Sequence, residues 1–153
     1  MSLMKILVLA SVVLFGAFSS FDIAHAAKAP IYTSWQNNIA VGGYDPVSFF
    51  SGVPVEGDKV HSYEYMGATW RFSTQGNLEL FKTNPEAFAP QYGGYCAWAL
   101  AEGKLAKGSP KYWRVEDGKL YLNFNERIQR RWESDIEGFI IAGDENWPKI
   151  LED

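Results

Sequence analysis

Cys96 is the only cysteine in the 153-residue chain. No intramolecular disulfide can hold the fold, so the core must do so alone. The constraint matters because the start of the chain reads as an export signal. Lys5 precedes a run from Ile6 to Phe18 that is almost wholly apolar. That run is shorter than the roughly 20 apolar residues that cross a bilayer. Ala24-His25-Ala26 then supplies a small-x-small cleavage pattern. The expected cut lies between Ala26 and Ala27, by the ordinary secretion route, since neither a lipid-anchor Cys nor a twin-Arg pair is present. The mature protein is then periplasmic or secreted, an oxidising setting in which an accessible lone thiol is a liability. Cys96 must be buried, paired between chains, or used.

Removing residues 1–26 leaves 127 residues, enough for one domain with a real core. Residues 27–43 read as an extended lead-in, and 44–153 as a single domain with a C-terminal helical extension. The mature net charge stays at −4, because Lys5 and Asp22 leave together. An acidic balance with no Lys/Arg block argues against nucleic acid. No basic amphipathic stretch points to a membrane once the signal is gone. All six Trp and all eight Tyr lie in the mature part, enough to build a core and to line a pocket. No tandem repeat or low-complexity tract is legible.

Local signals give an α+β fold: a small antiparallel sheet of two hairpins with helices packed on one side. Asp45 followed by Pro46 is a helix start, with Asp as cap and Pro in the first turn. Lys59–Tyr65 and Ala68–Phe72 flank Met66-Gly67 as a hairpin. Ser73 is the expected cap of a helix over 74–83. Lys111–Val115 and Lys119–Phe124 flank Asp117-Gly118, the strongest turn signal in the chain. Asn125 caps a helix to about Ser134, with Ile128 and Trp132 four apart on one face. A last helix covers 136–142, and the tail around Trp147 docks an aromatic on the domain.

Asp45-Pro46-Val47, then Tyr65-Met66-Gly67-Ala68-Thr69-Trp70-Arg71-Phe72-Ser73, then Phe81-x-x-Asn84-Pro85-Glu86-Ala87-Phe88, together resemble the YHS domain. The likeness runs from Tyr44 to Phe88. The rest of the mature chain, including Gln91–Ala97 and Asp117–Asn123, is similar to an exported YHS-domain subgroup. The resemblance implies a YHS-like fold and an accessory role in metal handling, with copper or another soft metal ion as the expected cofactor. Metal-binding relatives carry Cys after Asp-Pro-Val, at the strand-to-helix junction, and four residues further on. This chain has Ser48, Ser73 and Asn77 there. Neutral oxygen donors do not replace thiolates for Cu(I) or Zn, so that three-Cys site is absent. Asn77 reads as a surface or hydrogen-bonding residue.

Cys96 is the sharpest candidate that remains. Gly93-Gly94 allow a tight loop before it, and the first turn of a helix favours thiolate. It would serve as the central ligand of a soft-metal site, with His61 and Met66 as partners if they lie close in space. The alternative is a small buried residue packed against Tyr95 and Trp98. His25 leaves with the signal, so His61 is the only mature histidine, which excludes a site of several His ligands within one chain. Taken alone, His61 reads better as an ordinary strand-edge residue, and Met66 as a packing one. A non-metal binding or interaction module is the second reading, with Tyr44, Asp45, Tyr92, Gly93, Gly94, Tyr95 and Trp98 as ligand-contacting residues. A thiol enzyme using Cys96 is the third, and it requires an accessible sulfur. No phosphate loop, Gly-x-Ser-x-Gly elbow or paired-carboxylate pattern points to other catalysis. A homodimer joined through Cys96 is left open.

Overall fold

The structure is a computed structural model and describes residues 27–152. The expected signal segment lies outside them. A 3-10 turn at Val41–Gly43 leads into a 3-10 helix, Pro46–Ser51, then β1 (Asp58–Tyr65), β2 (Ala68–Phe72), α1 (Gln75–Thr83) and α2 (Pro85–Phe88). A second 3-10 turn, Gln91–Gly94, is followed by α3 (Ala97–Ala101), β3 (Ser109–Glu116), β4 (Lys119–Asn123), α4 (Glu126–Glu133) and α5 (Ile136–Glu152). The fold is α+β, and each hairpin is an antiparallel two-stranded sheet of its own. Both hairpins turn where expected. Met66 and Gly67 have φ of 49° and 76°, and Asp117 and Gly118 have 48° and 72°. Two successive positive φ values give the turn whose twist matches paired strands.

The two halves repeat one another at a constant spacing. β1 and β3 are eight residues long, and β2 and β4 five. Asp58 pairs with Phe72 and Tyr65 with Ala68; Ser109 pairs with Asn123 and Glu116 with Lys119. Asp58 to Ser109 is 51 positions, and so is every other step from the first hairpin to the second. Both ladders shift register at the same place, between Asp58 and Ser62 and between Ser109 and Trp113. Thr74 and Asn125 cap α1 and α4 at the same spacing. The left-handed residues Val41, Gly42 and Gly43 correspond to Tyr92, Gly93 and Gly94. Asp45 N donates to Val55 O, and Cys96 N to Ala106 O, each at 2.9 Å. The expectation of a chain without repeats is overturned. The repeat lives in backbone geometry, and the side chains have diverged around it. Its clearest sequence trace is Gly-Gly-Tyr at 42–44 and again at 93–95.

The halves share a core. Phe49, Trp70, Phe72 and Phe81 from the first half pack in one cluster with Leu120 and Leu122 from the second. Phe49 meets the Trp113 ring edge-on at 5.4 Å between centroids. A second cluster, with Tyr92, Leu100, Tyr121, Trp132 and Ile150, lies under α5. α5 is longer than expected, because it absorbs the tail and runs through Pro148. Trp147 docks as anticipated, at 6.1 Å from Tyr92 and 6.0 Å from Tyr95. The Tyr92 hydroxyl donates to Asp144 Oδ1 at 2.9 Å and approaches Ile140 O at 3.3 Å. Gly143 makes room for it, since a Cβ there would come within 2.6 Å of the phenol oxygen.

Candidate functional site

Asp45 lies at the centre of the first half and is fully buried. Its place follows from its backbone: it is the cap of the Pro46–Ser51 helix, and its Oδ1 accepts from Val47 N at 2.9 Å. The other oxygen, Oδ2, accepts from Ser73 N (2.8 Å), Ser73 Oγ (2.7 Å) and Asn77 Nδ2 (2.7 Å). Ser48 completes the group from behind. Its hydroxyl donates to Asp45 O at 2.6 Å and accepts from Val55 N at 3.0 Å. The three positions at which the resemblance puts Cys in metal-binding relatives therefore meet around Asp45, Ser48 at its backbone carbonyl and Ser73 and Asn77 at its carboxylate. Four donors saturate its lone pairs, which is how a buried anion is tolerated without a cation. Hydroxyl and amide groups aimed at a carboxylate do not fit a soft metal ion.

One local expectation is corrected here. Ser73 does not cap α1. Thr74 does, accepting from Asn77 N at 3.1 Å. Both the N–H and the hydroxyl of Ser73 are turned to Asp45, which moves the helix boundary by one residue. Asn77 is a hydrogen-bonding residue, and its partner is this same carboxylate.

Cys96 occupies the corresponding position in the second half, 51 residues after Asp45. It caps α3, and it is 1% exposed among Ala99 and Ile128, with Trp98 and Ala106 against them. Ala99 stands where Ser48 stands, Phe124 where Ser73 stands, and Ile128 where Asn77 stands. Apolar side chains have replaced each polar one. The thiol donates to Asn123 Oδ1 at 3.6 Å. Burial pushes its pKa up, although the N–H groups of Ala99, Phe124 and Trp98 pull the other way. The helix start does not deliver a thiolate here, because desolvation outweighs the amide dipoles. A sulfur so enclosed is not placed to join two chains.

His61 and Met66 belong to the first hairpin. His61 is half-buried on β1, and its Nδ1 is buried with no partner. Met66 is 50% exposed at the turn. Cys96, in contrast, pairs with Leu122 of the second hairpin. Among the described residues no three His, Cys, Asp or Glu side chains gather as metal ligands would. Tyr44 packs on Phe49 at 6.3 Å. Tyr95 donates to Ala29 O at 3.1 Å and packs on Tyr32 at 5.4 Å. The Trp98 ring lies under the Arg131 guanidinium at 5.8 Å, and the Trp98 backbone N–H donates to Asn123 Oδ1.

An open cleft of about 560 Å³ lies where the two hairpin turns come near each other. Met66 lines it from the first turn and Asp117 and Lys119 from the second, together with Tyr65, Glu86 and Trp147. Met66 and Asp117 are the same residue of the repeat, again 51 apart, and both hold a left-handed backbone. For Asp in such a turn this is ordinary, whereas for Met it costs free energy. Tyr92 and Gly93 of the aromatic set also line the cleft. Gly93 is indispensable to its shape, because a Cβ there would overlap Pro30 O.

Sequence reasoning found Asp45, Ser48, Ser73 and Asn77 singly and did not join them. It missed Asn123. The Gly-Gly-Tyr pair was the signal that would have aligned Asp45 with Cys96 and exposed both centres. No curated protein and no solved structure matches the chain. The model of the YHS domain matches residues 47–92, which hold Ser48, Ser73, Asn77 and the first hairpin, so this part of the chain is similar to a YHS domain.

Proposed function

We propose that this is an exported, non-catalytic binding protein that takes its ligand in the cleft between the two hairpin turns. One observation carries the reading. Both internal centres are closed, Asp45 by four donors and Cys96 by burial, while the cleft stays open and keeps a strained, half-exposed Met at its edge. Residues held in strained backbone conformations cluster at ligand clamps and active sites. Export is supported by the way the lead-in is fastened. Tyr32 N donates to Gly93 O at 2.9 Å and Tyr95 holds Ala29 O, so the described lead-in is fastened to the domain by residues that follow a cut after Ala26. N-terminal sequencing of the protein from a periplasmic or culture fraction should begin at Ala27.

The test of the cleft is native mass spectrometry of protein purified from its own compartment. A co-purifying mass should be present and should be lost in Met66→Lys. A ligand retained unchanged by that variant would sink the assignment. The YHS match and the thioether at the cleft support a second reading, soft-metal handling. Cu(I) titration of the reduced protein against a competing chelator decides it. Under this reading Met66→Leu lowers the affinity. Cys96→Ser lowers it as well only if the sulfur becomes accessible when metal is bound.

A further inference from the structure

The repeat supplies a second hollow. Tyr65, Met66, Glu86, Ala89 and Pro90 line the cleft. The residues 51 positions further on are Glu116, Asp117, Glu137, Ile140 and Ile141. These five, with Ile136, line a hollow of their own, of about 500 Å³. The helix starts agree, since α2 begins at Pro85 and α5 at Ile136, again 51 apart. Each hollow is thus framed in the same way, by a hairpin turn and the helix start that follows it. Such recurrence makes the hollow a property of the repeat rather than an accident of surface packing. A glutamate keeps its place in both, as Glu86 and as Glu137.

The two hollows differ in chemistry. The cleft has aromatic rings, a thioether and Lys119. The second hollow has no Lys, Arg or His and no aromatic ring, only three carboxylates and three isoleucines. Glu116 is already paired, its Oε2 accepting from Arg114 Nε at 2.6 Å. Among the described residues no ion pair holds Asp117 or Glu137. Ile136 and Ile140 pack against the second core cluster. Ile141 is 55% exposed and is not part of that cluster.

Two unpaired carboxylates beside aliphatic side chains select a ligand with ammonium N–H donors and an aliphatic body. A metal ion fits less well, because among the described residues no three His, Cys, Asp or Glu side chains gather closely enough to hold one. A quaternary ammonium has no N–H to donate and would find no aromatic face here. The volume lies within the range of small-molecule sites, about 300–1,000 Å³. We propose that this hollow is a second binding site, for a protonated primary alkylamine. Asp117 and Glu137 accept from the ammonium group, and the isoleucines cover the alkyl chain. Asp117 alone lines both hollows, and the proposal does not rest on the reading given for the cleft.

Titration of the isotope-labelled mature chain with hexylamine, followed in its amide NMR spectrum, tests the proposal. At about pH 7 the amine is fully protonated, as a lysine side chain is. Saturable shifts are expected at Asp117, Glu137, Ile140 and Ile141, with a dissociation constant on the order of 0.1–1 mM. Hexanoate and tetramethylammonium should bind at least about tenfold more weakly. Glu137→Gln should weaken hexylamine by roughly fivefold or more. Ile141→Lys should abolish binding, because it sets a cation in the hollow. Both side chains are exposed, so each variant should keep the wild-type spectrum away from the site. Met66→Lys, which alters the cleft, should leave the hexylamine titration unchanged, so the two sites can fail separately. The absence of saturable shifts up to about 10 mM overturns the proposal. So does hexanoate that binds as well as the amine, or a hexylamine titration lost in Met66→Lys, which would place the amine in the cleft.

Discussion

At position 45 a carboxylate is buried with four hydrogen-bond donors and no cation among its partners. Removing it strands all four donors, so the cost is set by what is left unpaired rather than by the bonds lost. Asp45→Ala should destabilise the protein by about 3–5 kcal/mol, read as a lower urea midpoint at unchanged slope. Asp45→Asn keeps the shape and the acceptor oxygen and should cost less than half as much. Equal costs would mean that packing, not donor satisfaction, is what Asp45 supplies. The matching residue, Cys96, is buried among apolar atoms with its thiol pKa raised. It should not react with a disulfide reagent such as dithionitrobenzoate in the native state, and should react fully in denaturant. Stoichiometric reaction without denaturant would reopen the thiol-enzyme reading.

At the scale of elements, the repeat makes a sharper test available. Cys96→Asp alone places a carboxylate against Asn123 Oδ1 and the apolar Ala99 and Ile128. Adding Ile128→Asn supplies the donor that Asn77 gives Asp45. The two changes should therefore couple favourably, by about 1 kcal/mol or more relative to the sum of the single variants. Simple additivity would mean that the two centres are not equivalent in geometry. Gly143→Ala tests α5 in the same spirit. The added methyl meets the Tyr92 phenol, and should cost about 1–3 kcal/mol and speed amide exchange along α5.

These elements also show what was legible beforehand. Both hairpin turns and the Asp45, Asn125 and Ile128/Trp132 signals are local, and each holds. The cap at Thr74 rather than Ser73 was not legible, because Ser73 is claimed by a residue 28 positions away. The repeat escaped because what it preserves is backbone: register, bulge and left-handed positions. Asp45, Ser73 and Asn77 in one half face Cys96, Phe124 and Ile128 in the other, so side-chain comparison sees little in common. The cleft is a product of two distant turns, and no local signal reports it.

At the scale of the whole molecule, the second cluster ties α5 to the repeats through tyrosines that resist ionisation. Burial pushes Tyr121 up to about 12, helped by Asp144, Asp117 and Glu116. Burial and the bond to Asp144 push Tyr92 higher still. Burial raises Tyr95, with Tyr32 adding to it, and it raises the Cys96 thiol. All four groups hold their protons longer in the folded chain than in the unfolded one. Below the ordinary thiol and phenol values of about 8.5 and 10, both states are protonated and the full contribution to stability is present. Above them the unfolded chain releases protons that the folded chain keeps, and stability falls with every further step in pH. The melting temperature should therefore begin to decline near pH 9 and drop steeply from about pH 10 towards 12. The phenolate absorbance of Tyr92, Tyr95 and Tyr121 should appear together with unfolding rather than before it. Tyr92→Phe removes the group held furthest from its ordinary value. It should lower stability at neutral pH by about 1 kcal/mol through the lost bond to Asp144, yet flatten the alkaline limb. A limb of unchanged steepness in that variant would show that the Tyr92–Asp144 clasp does not set the upper pH limit of the fold.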